Sequence, residues 1–338
     1  MQALLAKQMG ARIQFMIRNG LSVWMLCLMM GIQSLALAQQ FPGVEENIPY
    51  LITFGKGGVT SWGDDDFSQT FFLKVPKSQK DPIFIRVFDP DVGGKLDEKK
   101  GEFNTRSKIS VYGGPKAWST ADAKGTNPEG EYDSGTLLDT KTFAVDPKLD
   151  STWYTFGPFN PTEGEWVQDM DGYVFKVITE GIVGDDGNIY KYFLSTRADR
   201  NLKIEGANAF TYEYTFRLPN NPSICHIYPF VDSDVISIQQ HNFDWDGDGI
   251  IRLVSIARKG EPVKMSTEDD WAASKHPISD REKNTSIDIQ LIKSKAVNNN
   301  NVVMRVTNQY GVSLPFYSIP IGGAPRYTPI INVRPDPK

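Results

Sequence analysis

Three aspartates stand at alternate positions in Asp244-Trp245-Asp246-Gly247-Asp248-Gly249-Ile250-Ile251. A hard cation such as calcium collects roughly six to eight oxygens, and a tight turn lets alternate side chains converge on one point. The plainer reading is a polar turn, because Asp and Gly favour turns by themselves. A second acidic set lies earlier. Asp64-Asp65-Asp66 closes the loop after Trp62, and Asp89-Pro90-Asp91 ends an apolar run. If those loops meet at one edge, Asp64, Asp66, Asp89 and Asp91 converge and would repel one another without a cation. Gly184-Asp185-Asp186-Gly187-Asn188 adds oxygens to that cluster or serves as a hairpin turn.

Tryptophans are the other chemical signal. Trp62, Trp118, Trp166, Trp245 and Trp271 lie in or beside loops. Sugar rings stack on such faces, and protein interfaces use them as anchors. Most would plug the ends of a β-sandwich. Trp245, Trp118 and Trp166 are the candidates for contact with a ligand, Trp245 first, because a loop stiffened by a cation would present it at low entropic cost. Catalytic signals are thin. The three histidines, His226, His241 and His276, show no zinc spacing, and no G-x-S-x-G elbow or P-loop occurs. Glu163, Glu165 and Asp169 beside Trp166 would be a carboxylate pair for glycoside hydrolysis, or a solvated loop.

The Asp244 stretch is similar to the D-x-D-G-D-G loops of FG-GAP and related extracellular repeats. It matches less well the EF-hand or dockerin loop, which wants a carboxylate at Ser255 and flanking helices. FG-GAP loops usually close with an acid, and Arg252 stands there. The resemblance implies calcium held by Asp244, Asp246 and Asp248, with a backbone carbonyl from Ile250. Asp232 or Asp234 of the preceding turn would supply the missing ligand. The first half, from Phe71–Pro76 through Ile83–Phe88 to Ile109–Tyr112, resembles the calcium-tolerant β-sandwiches of carbohydrate-binding modules and pre-peptidase C-terminal domains.

The elements that would position these residues are strands. Short runs such as Tyr50–Phe54, Gln69–Val75, Ile83–Phe88 and Lys108–Tyr112 are each closed by Gly, Pro or Asp clusters. Regular spacing of short strands and turn signals implies an all-β fold. We expect two tandem antiparallel β-sandwich domains, immunoglobulin-like or jelly-roll. Pro219-Asn220-Asn221-Pro222 marks the boundary between residues 41–218 and 223–324, and a proline-rich tail follows over 325–338. One stretch, Glu268–Ser274, reads as a turn or two of helix capped by Ser266 or Thr267. The composition agrees: 12% aromatic residues, 29 glycines and 21 prolines in 338 residues.

Residues 1–38 have the pattern of a signal peptide. Lys7, Arg12 and Arg18 precede the apolar run Leu21–Leu37, and Ala36-Leu37-Ala38 is a small-residue cleavage site. No later stretch reaches the ~20 apolar residues that span a membrane. Cleavage would remove three of 36 basic residues and none of 41 acids. An acidic chain does not suit nucleic-acid backbones and does suit cations. Cys225 would remain as the lone cysteine, a small buried hydrophobe. The reading that unites these features is an exported, secreted, periplasmic or cell-surface protein. It would be non-enzymatic and calcium-stabilised, binding a glycan or an envelope protein. A polysaccharide hydrolase and a component of a surface complex are the alternatives.

Overall fold

The computed structural model describes residues 40–325. The expected signal peptide over 1–38 and the expected tail beyond 325 lie outside the described residues. Among the described residues the chain is all-β: every helical segment is a single 3-10 turn, and the strand pairs are antiparallel. No helix among them is long and apolar enough to cross a membrane.

A nine-stranded sheet forms the long wall. Its order is Trp271–Pro277, Ser237–Phe243, Asn301–Asn308, Glu213–Arg217, Tyr50–Phe54, Gly187–Ser195, Ile83–Phe88 and Trp153–Phe159, with Gln40–Phe41 beside Gly187–Ser195. A seven-stranded sheet runs Phe316–Tyr317, Asn208–Thr211, Ser68–Pro76, Gly172–Val183, Arg106–Gly113 and Thr136–Phe143, with Glu165–Val167 alongside. A four-stranded sheet runs Ser223–Ile227, Asp288–Lys293, Gly249–Val254 and Lys259–Pro262.

Period-two alternation determines which face is buried. Ile83, Ile85 and Val87 of the long sheet and Phe71, Leu73 and Val75 of the seven-stranded sheet lie in one hydrophobic core. Val302, Met304 and Val306, together with Ile251, Leu253, Ile289 and Leu291 of the four-stranded sheet, extend the same core. Cys225 is buried within it, its thiol donating to the Asn47 carbonyl at 3.3 Å. Burial pushes that thiol up to about 12, as an inert core cysteine requires.

The sheet does not break at Pro219–Pro222. Glu213–Arg217 pairs with Tyr50–Phe54 on one side and with Asn301–Asn308 on the other, so segments 41–218 and 223–324 share a sheet. The expected helix at Glu268–Ser274 is a turn followed by the strand Trp271–Pro277, paired along its length with Ser237–Phe243. Seven ladder partners outweigh a weak capping signal.

Candidate functional site

Asp64 stands just after the 3-10 turn Thr60–Trp62, and its carboxylate ties the loop to the strand Tyr50–Phe54 and to Phe67, the residue before the strand Ser68–Pro76. Oδ2 accepts from the Phe54 N–H at 2.7 Å and Oδ1 from the Phe67 N–H at 3.0 Å. Asp66 accepts from the Ser68 N–H at 2.9 Å. Among the described residues, Asp64, Asp65 and Asp66 alone bring three such ligand atoms within 4.8 Å of one another. Glu213 joins them from the long sheet, its side chain 9% exposed. Burial raises all four carboxyls, Asp64 to about 7, and their mutual repulsion adds to the shift of Asp64, Asp66 and Glu213. Backbone N–H groups offset the shift of Asp64 and Asp66, and Arg305 offsets that of Asp65 and Glu213. Its guanidinium lies 3.6 Å from Glu213, donates to Thr126 Oγ1 at 3.0 Å, and sits over Trp271.

Asp89 and Asp91 form a separate group. Asp89 feels Asp91 and Asp150, and Asp91 feels Asp150 and Asp146. Their first cause of shift is burial, which takes Asp89 up to about 7. Asp89 accepts from the Ser151 N–H at 2.6 Å and Asp91 from the Asp146 N–H at 3.0 Å. Asp97 accepts from the Gly93 and Ile189 N–H groups, closing the 89–97 loop on the strand Gly187–Ser195. The Asp64 set and the Asp89 set thus each satisfy their own loop and are not felt by one another as charges. Asp186 is spent on the backbone of Lys100, Asn104 and Thr105.

The Asp244 loop is tighter in backbone and looser in side chains. Asp244, Asp246 and Gly247 have φ of 59°, 61° and 65°, the left-handed region that Asp and Gly tolerate. Asp244 accepts from the Asp269 N–H at 2.8 Å, and Asp248 accepts from the Asn300 amide at 2.7 Å. Asp246 faces Asp248 and Glu268, which add to the burial that raises its carboxyl. Asp246 therefore repels both Asp244 and Asp248, which are drawn to different partners. Ile250 is exposed and pairs with Ile292.

Trp245 departs from expectation. It is wholly buried, its backbone N–H donating to Ser266 Oγ at 3.0 Å and its indole to the Gly249 carbonyl at 3.4 Å. The reversed backbone on either side turns it into the core, where it is a plug and not a surface ligand. Asp232 and Asp234 also lie elsewhere. They precede the strand Ser237–Phe243 and Asp244 follows it, a separation of roughly 20 Å or more for an extended segment.

Asp232 and Asp234 instead line a cleft of 830 Å³ with Trp118, Tyr212, Phe230, Tyr317 and Asp169. An apolar cluster of Phe72, Val174, Phe210, Tyr212 and Tyr317 lies beneath. Trp118 is held from several sides: its indole donates to the Tyr212 hydroxyl at 3.1 Å, Glu165 accepts its backbone N–H at 2.5 Å, and Lys124 lies 3.7 Å from its ring centre. Burial, then Asp232, pushes the Tyr317 hydroxyl up to about 12, so it stays a donor. Trp166 stands outside the cleft, 46% exposed and edge-on to Tyr173. Tyr212, Phe230 and Tyr317 escaped the reading of the sequence because each sits in a strand run that looks like ordinary core. Glu213 left one signal, a carboxylate inside the aromatic run Tyr212-Glu213-Tyr214.

Comparison with protein-family models and with curated proteins finds no match for the chain.

Proposed function

We propose that this chain is an exported, non-enzymatic binding protein of the cell envelope that takes a glycan in the cleft at Trp118. The observation that carries the reading is the pairing in one cleft of a fixed indole and a tyrosine with three aspartates, Asp169, Asp232 and Asp234. Aromatic faces suit the C–H faces of sugar rings, and carboxylates accept from hydroxyls. A largely preformed cleft with few polar groups is the usual form of a ligand site. Calcium belongs to the same reading as a stiffener. At the Asp64–Asp66 centre it would supply the positive charge that Arg305 alone does not. At the Asp244 loop it would relieve the repulsion among Asp244, Asp246 and Asp248.

The test is a glycan array followed by calorimetry with the best oligosaccharide. Saturable binding is expected, weakened by Trp118→Ala and unchanged by Trp166→Ala. Binding that survives Trp118→Ala would overturn the site, and cleavage of the oligosaccharide would overturn the non-enzymatic reading.

A further inference from the structure

Three buried oxygens gather around one turn without a hydrogen-bond partner: Asp89 Oδ2, Asp91 Oδ1 and Asn188 Oδ1. Their residues are 0%, 1% and 0% exposed. Each side chain spends its other polar atom on the surrounding backbone. Asp89 Oδ1 takes the Ser151 N–H, Asp91 Oδ2 takes the Asp146 N–H, and Asn188 Nδ2 donates to the Pro90 carbonyl at 3.3 Å. That last contact fixes the amide: a carbonyl only accepts, so the nitrogen must face Pro90 and the oxygen is left over. Pro90 lies between the two aspartates, which places Asn188 on the same turn. Buried acceptors are nearly always satisfied, and three orphans on one turn call for a missing partner.

That partner must be positive. Asp89, Asp91 and Asp97 are shifted by one another and by Asp146 and Asp150; Arg217 acts on Asp97, whereas the charges that shift Asp89 and Asp91 are all carboxylates. Two carboxylates and an amide oxygen are hard donors with no nitrogen or sulfur among them, which favours calcium or magnesium over zinc or copper. Carboxylates already committed on one side, next to a neutral amide oxygen, suit the irregular shell of calcium better than the strict octahedron of magnesium. Asp150 stands close by. Its carboxylate covers Gly94, where a Cβ would meet it at 2.4 Å.

We propose that Asp89, Asp91 and Asn188 form a calcium site that clamps the 89–97 loop to the strand Gly187–Ser195 and to the 146–151 turn. The site is independent of the cleft and of the Asp64–Asp66 centre. It is built from two loops and a strand that meet only in the folded chain, so occupancy stabilises the fold.

The test uses the full chain, stripped with a chelator and titrated with CaCl₂, reading bound calcium per chain and melting temperature. In Asp91→Asn the affinity of one site should fall about a hundredfold, and the chelated variant should melt above the chelated parent, because a buried charge has gone. Asn188→Asp is the second variant, and its expected signs are opposite: a lower melting temperature in chelator and a larger rise with CaCl₂. Asp66→Asn reports on the other centre and should leave this site's calcium in place. Equal calcium binding by the parent and Asp91→Asn would overturn the proposal, as would no binding by the parent. Loss of all bound calcium in Asp66→Asn alone, or an equal response to MgCl₂, would also count against it.

Discussion

Glu213 and Arg305 stand directly opposite one another on neighbouring antiparallel strands, the guanidinium 3.6 Å from Oε2, yet the Glu213 carboxyl is held well above its usual range. Burial comes first among the causes, and Asp65 and Asp66 follow; Arg305 only partly opposes them. Arg305 is therefore shared between Glu213 and Asp65 and does not form a simple ion pair. Replacing it with Leu should destabilise the metal-free protein by about 3–5 kcal/mol, the cost of stranding a buried charge. Adding Glu213→Gln should recover part of the loss. Urea denaturation of both variants at neutral pH measures it.

The carboxyls of Asp64, Asp89 and Asp244 are raised to about 7, and that of Glu46 to about 8, burial being the first cause in each. The folded state thus binds more protons than the unfolded one between the ordinary carboxylate range and these values, so their contribution is lost as pH rises through them. His241 acts the other way. Burial, then Arg305, holds it down to about 4, so its contribution is lost as pH falls below the ordinary histidine value. In chelator these four carboxyls outweigh the one histidine, so the protein should be most stable at about pH 4–5 and should weaken steadily towards pH 8. Calcium should flatten the alkaline side. Melting curves across pH with and without calcium decide this, and stability rising steadily to pH 8 in chelator would contradict it.

Trp245 sits among aspartates in sequence and in the core in space. Trp245→Ala should cost about 3–5 kcal/mol, the usual range for emptying a large aromatic site. Ile250→Ala, at an exposed position, should change stability by about 0.5 kcal/mol or less. Equal costs for the two would mean that Trp245 is not the plug.

Gly63 closes the turn before Asp64 with φ of 84°, and a Cβ there would meet the Asn301 carbonyl oxygen at 2.5 Å. Gly63→Ala should cost roughly 1–3 kcal/mol from the left-handed backbone alone, with the clash adding more. Because the same turn presents Asp64, the variant should also bind calcium less tightly at that centre while leaving calcium at the Asp89 site.

Local pattern determined much of this protein. Runs such as Tyr50–Phe54 and Ile83–Phe88 are strands where their composition and closing residues place them, because side-chain alternation and turn chemistry act over a few residues. The acidity of the three loops, and the presence of Trp118 and Asp232 as chemistry-bearing residues, were equally plain. Tertiary structure alone decided what those residues meet. Trp271–Pro277 became a strand because Ser237–Phe243 offered a full ladder, and Glu213 reached Asp65 and Asp66 because its strand lies beside Tyr50–Phe54. Asp232 and Asp234 were parted from Asp244 by the length of one strand and brought to Trp118 by another. Pairing between distant strands rests on long-range burial, in which each hydrophobic face fits many partners, so no short stretch of sequence carries that choice.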